Sequence, residues 1–128
     1  MVNDPAGLGA ALARLGGSSR KGAKASANAT AVLLREGEIV ECVVQGQLFG
    51  CNAVVVLTNA RLLVVNDREF RPDVIEIALD ASVSVQGWQD DRAAALLIQR
   101  ADITAQVERI GDKQLAQEMA QRIRARAT

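Results

Sequence analysis

The chain is 128 residues long, room for one domain plus an appended segment. Hydrophobic residues make up 49% of it, enough for a core without metal or disulfide staples. It contains no histidine and no tyrosine, which removes Ser-His-Asp and Cys-His nucleophile pairs and histidine-based metal or acid–base chemistry.

The formal charge is zero, but it is unevenly spread. Residues 1–35 carry five basic groups against one acidic, a net +4; residues 36–110 carry six against twelve, a net −6; residues 111–128 carry four against two, a net +2. The acidic body repels nucleic acid and anionic lipid, and the basic ends attract them. No apolar run approaches the roughly 18 residues that span a bilayer. Asp4, Arg14 and Gly16 interrupt the N-terminal apolar run, so no secretory signal is expected and the expected location is cytoplasmic.

Asn3-Asp4-Pro5 reads as a helix start, with Asp4 as cap and Pro5 in the first turn. Leu8, Leu12 and Leu15 follow on one face, and Gly16-Gly17 stops the helix. Such a helix is too short to stand alone in water, so it must dock, oligomerise or fray. From Gly17 to Ala27 the chain is rich in Gly, Ser, Ala and Lys, and it reads as a flexible linker. A short helical turn near Asn28 or Thr30 ends at Gly37. The expected division is residues 1–30 as a short helix plus basic linker, and residues 31–128 as the folded domain.

Seven strands then follow. The first runs from about Glu38 to Gln45, and Gly46 to Gly50 turns the chain. The second, Cys51 to Leu57, is apolar on both faces and therefore central. Thr58-Asn59-Ala60 makes a tight turn into the third, Arg61 to Val65. Asn66 to Pro72 is a polar connection. Ile75, Ile77 and Leu79 mark the fourth strand, Val83 and Val85 the fifth, Ala93 to Gln99 the sixth, and Ile103, Ala105 and Val107 the seventh. The last element, Gly111 to Arg126, is an amphipathic helix capped by Asp112, with Leu115, Met119 and Ile123 stacked on one face. The order predicts a mainly β fold: a seven-stranded, antiparallel, partly open barrel closed by one C-terminal helix.

Three segments carry a resemblance. Leu34-Arg35-Glu36-Gly37-Glu38-Ile39-Val40 resembles the "L..GE.V" opening of bacterial pleckstrin-homology-like domains. Val54 to Val65, through Thr58-Asn59-Ala60-Arg61-Leu62, resembles their "lvLTn.RLlfv" hairpin, which GRAM domains share. Ile75-Glu76-Ile77-Ala78-Leu79 with Val83 resembles their "eipl..I..v" segment. The likeness spans about residues 34–126. It implies a non-catalytic scaffold without cofactor, in a family whose eukaryotic branch is known for phosphoinositide and peptide binding and whose bacterial members are often of unknown function, some forming rings or other oligomers.

Residue by residue, the phosphoinositide property does not carry over. The first hairpin loop, Gln45 to Asn52, holds no Lys or Arg to grip phosphate. Family members often keep a tryptophan in the last helix; the single one here, Trp88, closes strand five instead. Trp88 is read as barrel-mouth packing, with a ligand platform as the alternative. Arg61 is read as structural, paired with a carboxylate such as Glu41 or Asp80, with an anion site as the alternative. Glu36, Glu38 and Glu41 read as a solvated strand face. Cys42 and Cys51 read as small buried hydrophobes on neighbouring strands, with a cross-strand disulfide left open. No carboxylate group has the spacing of a calcium site.

The expected function is a non-enzymatic binding or assembly module working through protein contact, including self-association. Its candidate contacts are Leu8, Leu12, Leu15, Leu48 and Phe49, or a free strand edge; for Leu48 and Phe49, apolar at a loop tip, folding back over the barrel mouth is the other reading and the favoured one. The alternative is a peripheral membrane adaptor using the basic, Leu-bearing N-terminal arm, with Arg14, Arg20, Lys21 and Lys24 on anionic lipid and Leu8, Leu12 and Leu15 inserted. Arg61, Trp88, Leu115, Met119 and Ile123 are assigned structural roles. No metal and no nucleic-acid partner is expected.

Overall fold

The computed structural model describes residues 5–68 and 72–127. A single 3-10 turn, Pro5–Gly7, leads into helix α1, Leu8–Leu12, and then helix α2, Gly17–Leu33. Strands β1 (Val40–Leu48), β2 (Cys51–Thr58), β3 (Leu62–Asn66), β4 (Val74–Ile77), β5 (Val83–Gln89), β6 (Ala94–Arg100) and β7 (Ile103–Ile110) follow, and helix α3, Lys113–Arg126, ends the chain. The capping role read for Asp4 lies outside the described residues, as do positions 69–71 of the polar connection.

All strand pairs are antiparallel, in the order β4-β3-β2-β1-β7-β6-β5. Two meanders meet where the far end of β1 pairs with β7, at Gln47 opposite Glu108. β4 and β5 end the sheet, so the barrel is not closed. This is the expected fold class: seven antiparallel strands and one C-terminal helix. Gly46 makes the β1–β7 crossing feasible. A Cβ there would stand 2.5 Å from the Glu108 carbonyl oxygen and 2.8 Å from side-chain atoms of Ile110 and Val107.

The first hairpin turns at Phe49-Gly50, both with positive φ (54° and 78°), the backbone of a two-residue turn whose twist suits the flanking strands. In β7 the alternation that buries Ala105 and Val107 slips, and Ile110 rather than Arg109 points inward. Arg109 absorbs the slip with φ 55°, in register with the irregularity in β6 between Ala94 and Leu96. α3 lays Leu115, Ala116, Met119, Ala120 and Ile123 into the barrel, all buried. Asp112 precedes it as expected, but its carboxylate makes no cap bond within α3. It accepts instead from the Gly16 backbone N–H at 3.2 Å, at the start of α2, where a negative charge complements the helix dipole.

The flexible-linker expectation is corrected. Residues 17–33 form one continuous helix lying against β1, β2 and β3. Ser19, Ala23, Ser26 and Thr30 fall at i, i+4, i+7 and i+11 and are buried. Small side chains there are not an absence of anything to bury; they let the helix approach the sheet closely. Gly22 shows how closely, since a Cβ on it would meet the Gln45 side chain at 2.7 Å. The Ser26 hydroxyl donates to the Asn52 carbonyl at 3.3 Å, and Thr30 donates to the Ser26 carbonyl at 2.8 Å. α2 also explains why Ala53–Leu57 and Leu62–Val65 are buried at every position: the barrel interior covers one face and the helix the other.

The division at residue 30 is corrected for the same reason. Leu8, Ala11, Leu15 and Ala23 belong to one hydrophobic cluster with the barrel residues. Cys42 and Cys51 are both free. The register sets Cys42 opposite Leu57 and Cys51 opposite Leu48, at opposite ends of the hairpin, so the cross-strand disulfide is ruled out by position.

Candidate functional site

The three sequence segments that carry the resemblance meet in space through Glu38, Arg61 and Glu76, and what they build is a joint. Arg61 and Glu38 are 7% and 4% exposed. Arg61 Nε donates to Glu38 Oε2 at 2.8 Å and Nη2 to Oε1 at 3.0 Å, a forked pairing that only a guanidinium can make. Nη2 also donates to the Leu33 carbonyl at 2.6 Å, capping the C-terminus of α2, and Nη1 donates to Glu76 on β4. The expected partners of Arg61, Glu41 and Asp80, are corrected: Glu41 faces Arg126 at 3.4 Å and Asp80 binds Arg100 at 2.5 Å.

Glu38 is likewise not on a solvated face. The Arg61 guanidinium overrides the cost of its burial and holds its carboxyl at about 2, helped by the Arg35 N–H and the Thr58 hydroxyl. Thr58 Oγ1 also accepts from the backbone N–H of Arg61 at 3.0 Å. Asn59 ties the turn to the start of β1, accepting from Ile39 N–H at 2.9 Å. Arg126 then reaches back from α3 to the carbonyls of Thr58 (3.0 Å) and Asn59 (2.8 Å). The Thr-Asn-x-Arg turn thus locks α2, β1, β4 and α3 at one corner. With every face of Arg61 engaged, this corner is structural.

The candidate contact residues separate in the same way. Leu8 and Leu15 are buried, at 5% and 2% exposure, and Leu12 is half-buried against them. Leu48 is buried at 1%. These four serve the chain's own core, which corrects the assignment of Leu8, Leu12 and Leu15 as partner contacts and leaves Leu48 with its inward-folded reading. Phe49 alone is presented, at 74% exposure, on the tip of the first hairpin. Arg14 forms a two-bond pair with Glu118 of α3, at 2.8 and 2.7 Å. Arg20 donates to the Ala13 and Leu15 carbonyls, at 3.1 and 2.9 Å, closing the end of α1. Only Lys21 and Lys24 of the basic set remain as exposed cations without a pairing role in this corner of the fold.

Trp88 is not barrel packing. It is 49% exposed on β5 and forms one wall of a groove of about 290 Å³ between β5–β6 and α3. The groove has a simple cause. Gly87, Ala94, Ala95, Ala116 and Ala120 line it from three elements, and their small side chains leave the space between helix and sheet unfilled. Gln89, Gln117, Gln121 and Arg124 provide polar groups around that apolar floor. Arg124 Nη2 donates to the Val85 carbonyl at 3.2 Å, which orients the guanidinium along the terminal strand. Apolar depth with a few convergent donors and acceptors is the usual make-up of a recognition site. Sequence reasoning flagged Trp88 but not its surroundings, because the small residues mean nothing until register and helix docking bring them together.

Among the described residues no group of three or more Cys, Asp or Glu side chains gathers where a metal could be held. No helix among them is long and apolar enough to cross a membrane. Family models, curated proteins and solved structures contain no match for this chain.

Proposed function

We propose that the chain is a non-catalytic binding and assembly module of pleckstrin-homology-like type, acting through protein contact. The observation that carries this reading is the Trp88 groove beside β5, a strand that ends the sheet. A terminal strand offers backbone donors and acceptors to an added strand, and an adjacent pocket selects a side chain from it. β5 is exposed from Gln86 to Gln89, which is the stretch next to the groove. The simplest partner is a second copy of the chain.

The membrane-adaptor alternative loses most of its means. The leucines meant for insertion are in the core, and Arg14 and Arg20 are engaged. Lys21 and Lys24 at an anionic surface would contribute about 2 kcal/mol together, too little to hold a protein there.

Trp88 is the only tryptophan, so its emission reports on the groove directly. Light scattering over a wide concentration range, with emission recorded in parallel, tests the assembly reading. The expected result is a mass above that of one chain, a blue shift of Trp88 on association, and a return to monomer in Trp88→Glu. A single-chain mass at every concentration, with unchanged emission, would remove self-association.

A further inference from the structure

A second concave surface, sharing no lining residue with the Trp88 groove, lies between α1 and α2. It is a shallow, open concavity of about 600 Å³, with Leu12, Ala13, Ala23 and Ala27 as its apolar lining and Arg20, Lys21, Lys24 and Asn28 as its polar lining. Gly17, Lys21, Lys24 and Asn28 fall at i, i+4, i+7 and i+11, a single stripe along α2 opposite to the one that faces the sheet. The charged residues that line it, Arg20, Lys21 and Lys24, are all basic, while the nearby carboxylates Asp112 and Glu118 are engaged with Gly16 N–H and Arg14. From Pro5 to Arg35 the chain contains five basic residues and no Asp or Glu.

We propose that this groove is a docking site for an acidic amphipathic helix of a partner protein, with its apolar ridge on Leu12, Ala13 and Ala27 and its carboxylates on Lys21 and Lys24. Charge complementarity selects the partner's sign, and the concave apolar floor selects a ridge of side chains over a flat bilayer. A second copy of this chain does not fit as the occupant. α1 and α2 carry no acid, and α3 has Lys113, Arg122, Arg124 and Arg126 against Glu118 while its apolar face is already buried. The site is independent of the Trp88 groove and of the assembly reading.

Fluorescence anisotropy on the full chain tests it. The probe is a labelled synthetic helix with one Leu/Ala face flanked by glutamates; the control carries lysines in their place. The acidic probe should bind, weaken with added salt, and ignore Trp88→Glu. Reversing two exposed cations, Lys21→Glu with Lys24→Glu, should weaken it about tenfold. Ala13→Trp, which fills the groove from an exposed position, should abolish binding without altering the far-UV spectrum. Equal binding of both probes, indifference to either variant, or no binding overturns the proposal. So does capture of the chain by phosphatidylcholine–phosphatidylserine vesicles in a Lys21- and Lys24-dependent way without peptide binding.

Discussion

Replacing Arg61 with alanine isolates the corner that fastens the helices to the barrel. The side chain of Glu38 is 2% exposed, so the substitution leaves a carboxylate in the interior facing only the Thr58 hydroxyl and the Arg35 N–H. Breaking a buried pair from one side costs about 3–5 kcal/mol. The titration of Glu38 gives a second, independent size. Its carboxyl stands at about 2 in the fold against 4.5 in its ordinary state. Between those values the folded chain binds fewer protons than the unfolded one, so stability rises with pH. The contribution is complete above about pH 4.5, is lost as pH falls towards 2, and amounts to about 3 kcal/mol. In Arg61→Ala the guanidinium is gone and burial alone acts, which moves the Glu38 carboxyl upward instead. The gap between wild type and variant should therefore be about 3–5 kcal/mol at pH 7 and shrink to about 1 kcal/mol near pH 2. Urea titrations followed by far-UV circular dichroism at both pH values measure it. A gap of the same size at both, or one below about 1 kcal/mol at neutral pH, would refute the reasoning. The double variant Arg61→Met with Glu38→Leu removes both charges and should recover most of the loss.

Three further outcomes follow from the geometry. Gly46→Ala would press a methyl group into the Glu108 backbone; it should cost about 2 kcal/mol or more, read as a drop in the urea midpoint, and a neutral result would place the β1–β7 crossing elsewhere. Cys42 is buried, and that burial pushes its thiol up to about 11, whereas Cys51 is only partly covered. A thiol-specific chromogenic reagent should titrate one cysteine in the native chain and two in urea, and rapid reaction of both in the native chain would contradict the packing of β1. A chain starting at Arg35 loses α1 and α2 and uncovers the outer faces of β2 and β3; it should aggregate on expression, and a soluble, cooperatively melting fragment would show that the helices are dispensable.

The strands were legible in the sequence because their signals are local. Alternation in Val83–Gln86 and Ile103–Val107 and the i, i+4, i+8 spacing of Leu115, Met119 and Ile123 each survive in isolation, whereas the turn read from Gly46 to Gly50 narrows to Phe49-Gly50 because Gly46 sits inside β1. α2 was not legible by hydrophobicity, since its sheet-facing side is Ser, Ala and Thr. The usable signal was instead the spacing of small residues at 19, 23, 26 and 30, in a stretch without proline and rich in alanine. Glu38 was misplaced because a glutamate near a strand is normally solvated; only the fold reveals that Arg61, 23 positions later, lies beside it. The Trp88 groove belongs to a further class. It exists where side chains are missing, and an absence contributed by β5, β6 and α3 together has no signature along any one of them.

The corner at Arg61 also governs how the molecule comes apart. One guanidinium bonds the last carbonyl of α2, the entry to β1 and the edge at β4, and Arg126 fastens the closing helix to the same turn. Helix α2 is therefore denied an opening of its own. Its amide protons should exchange with deuterium at the pace of the barrel's, in one concerted event.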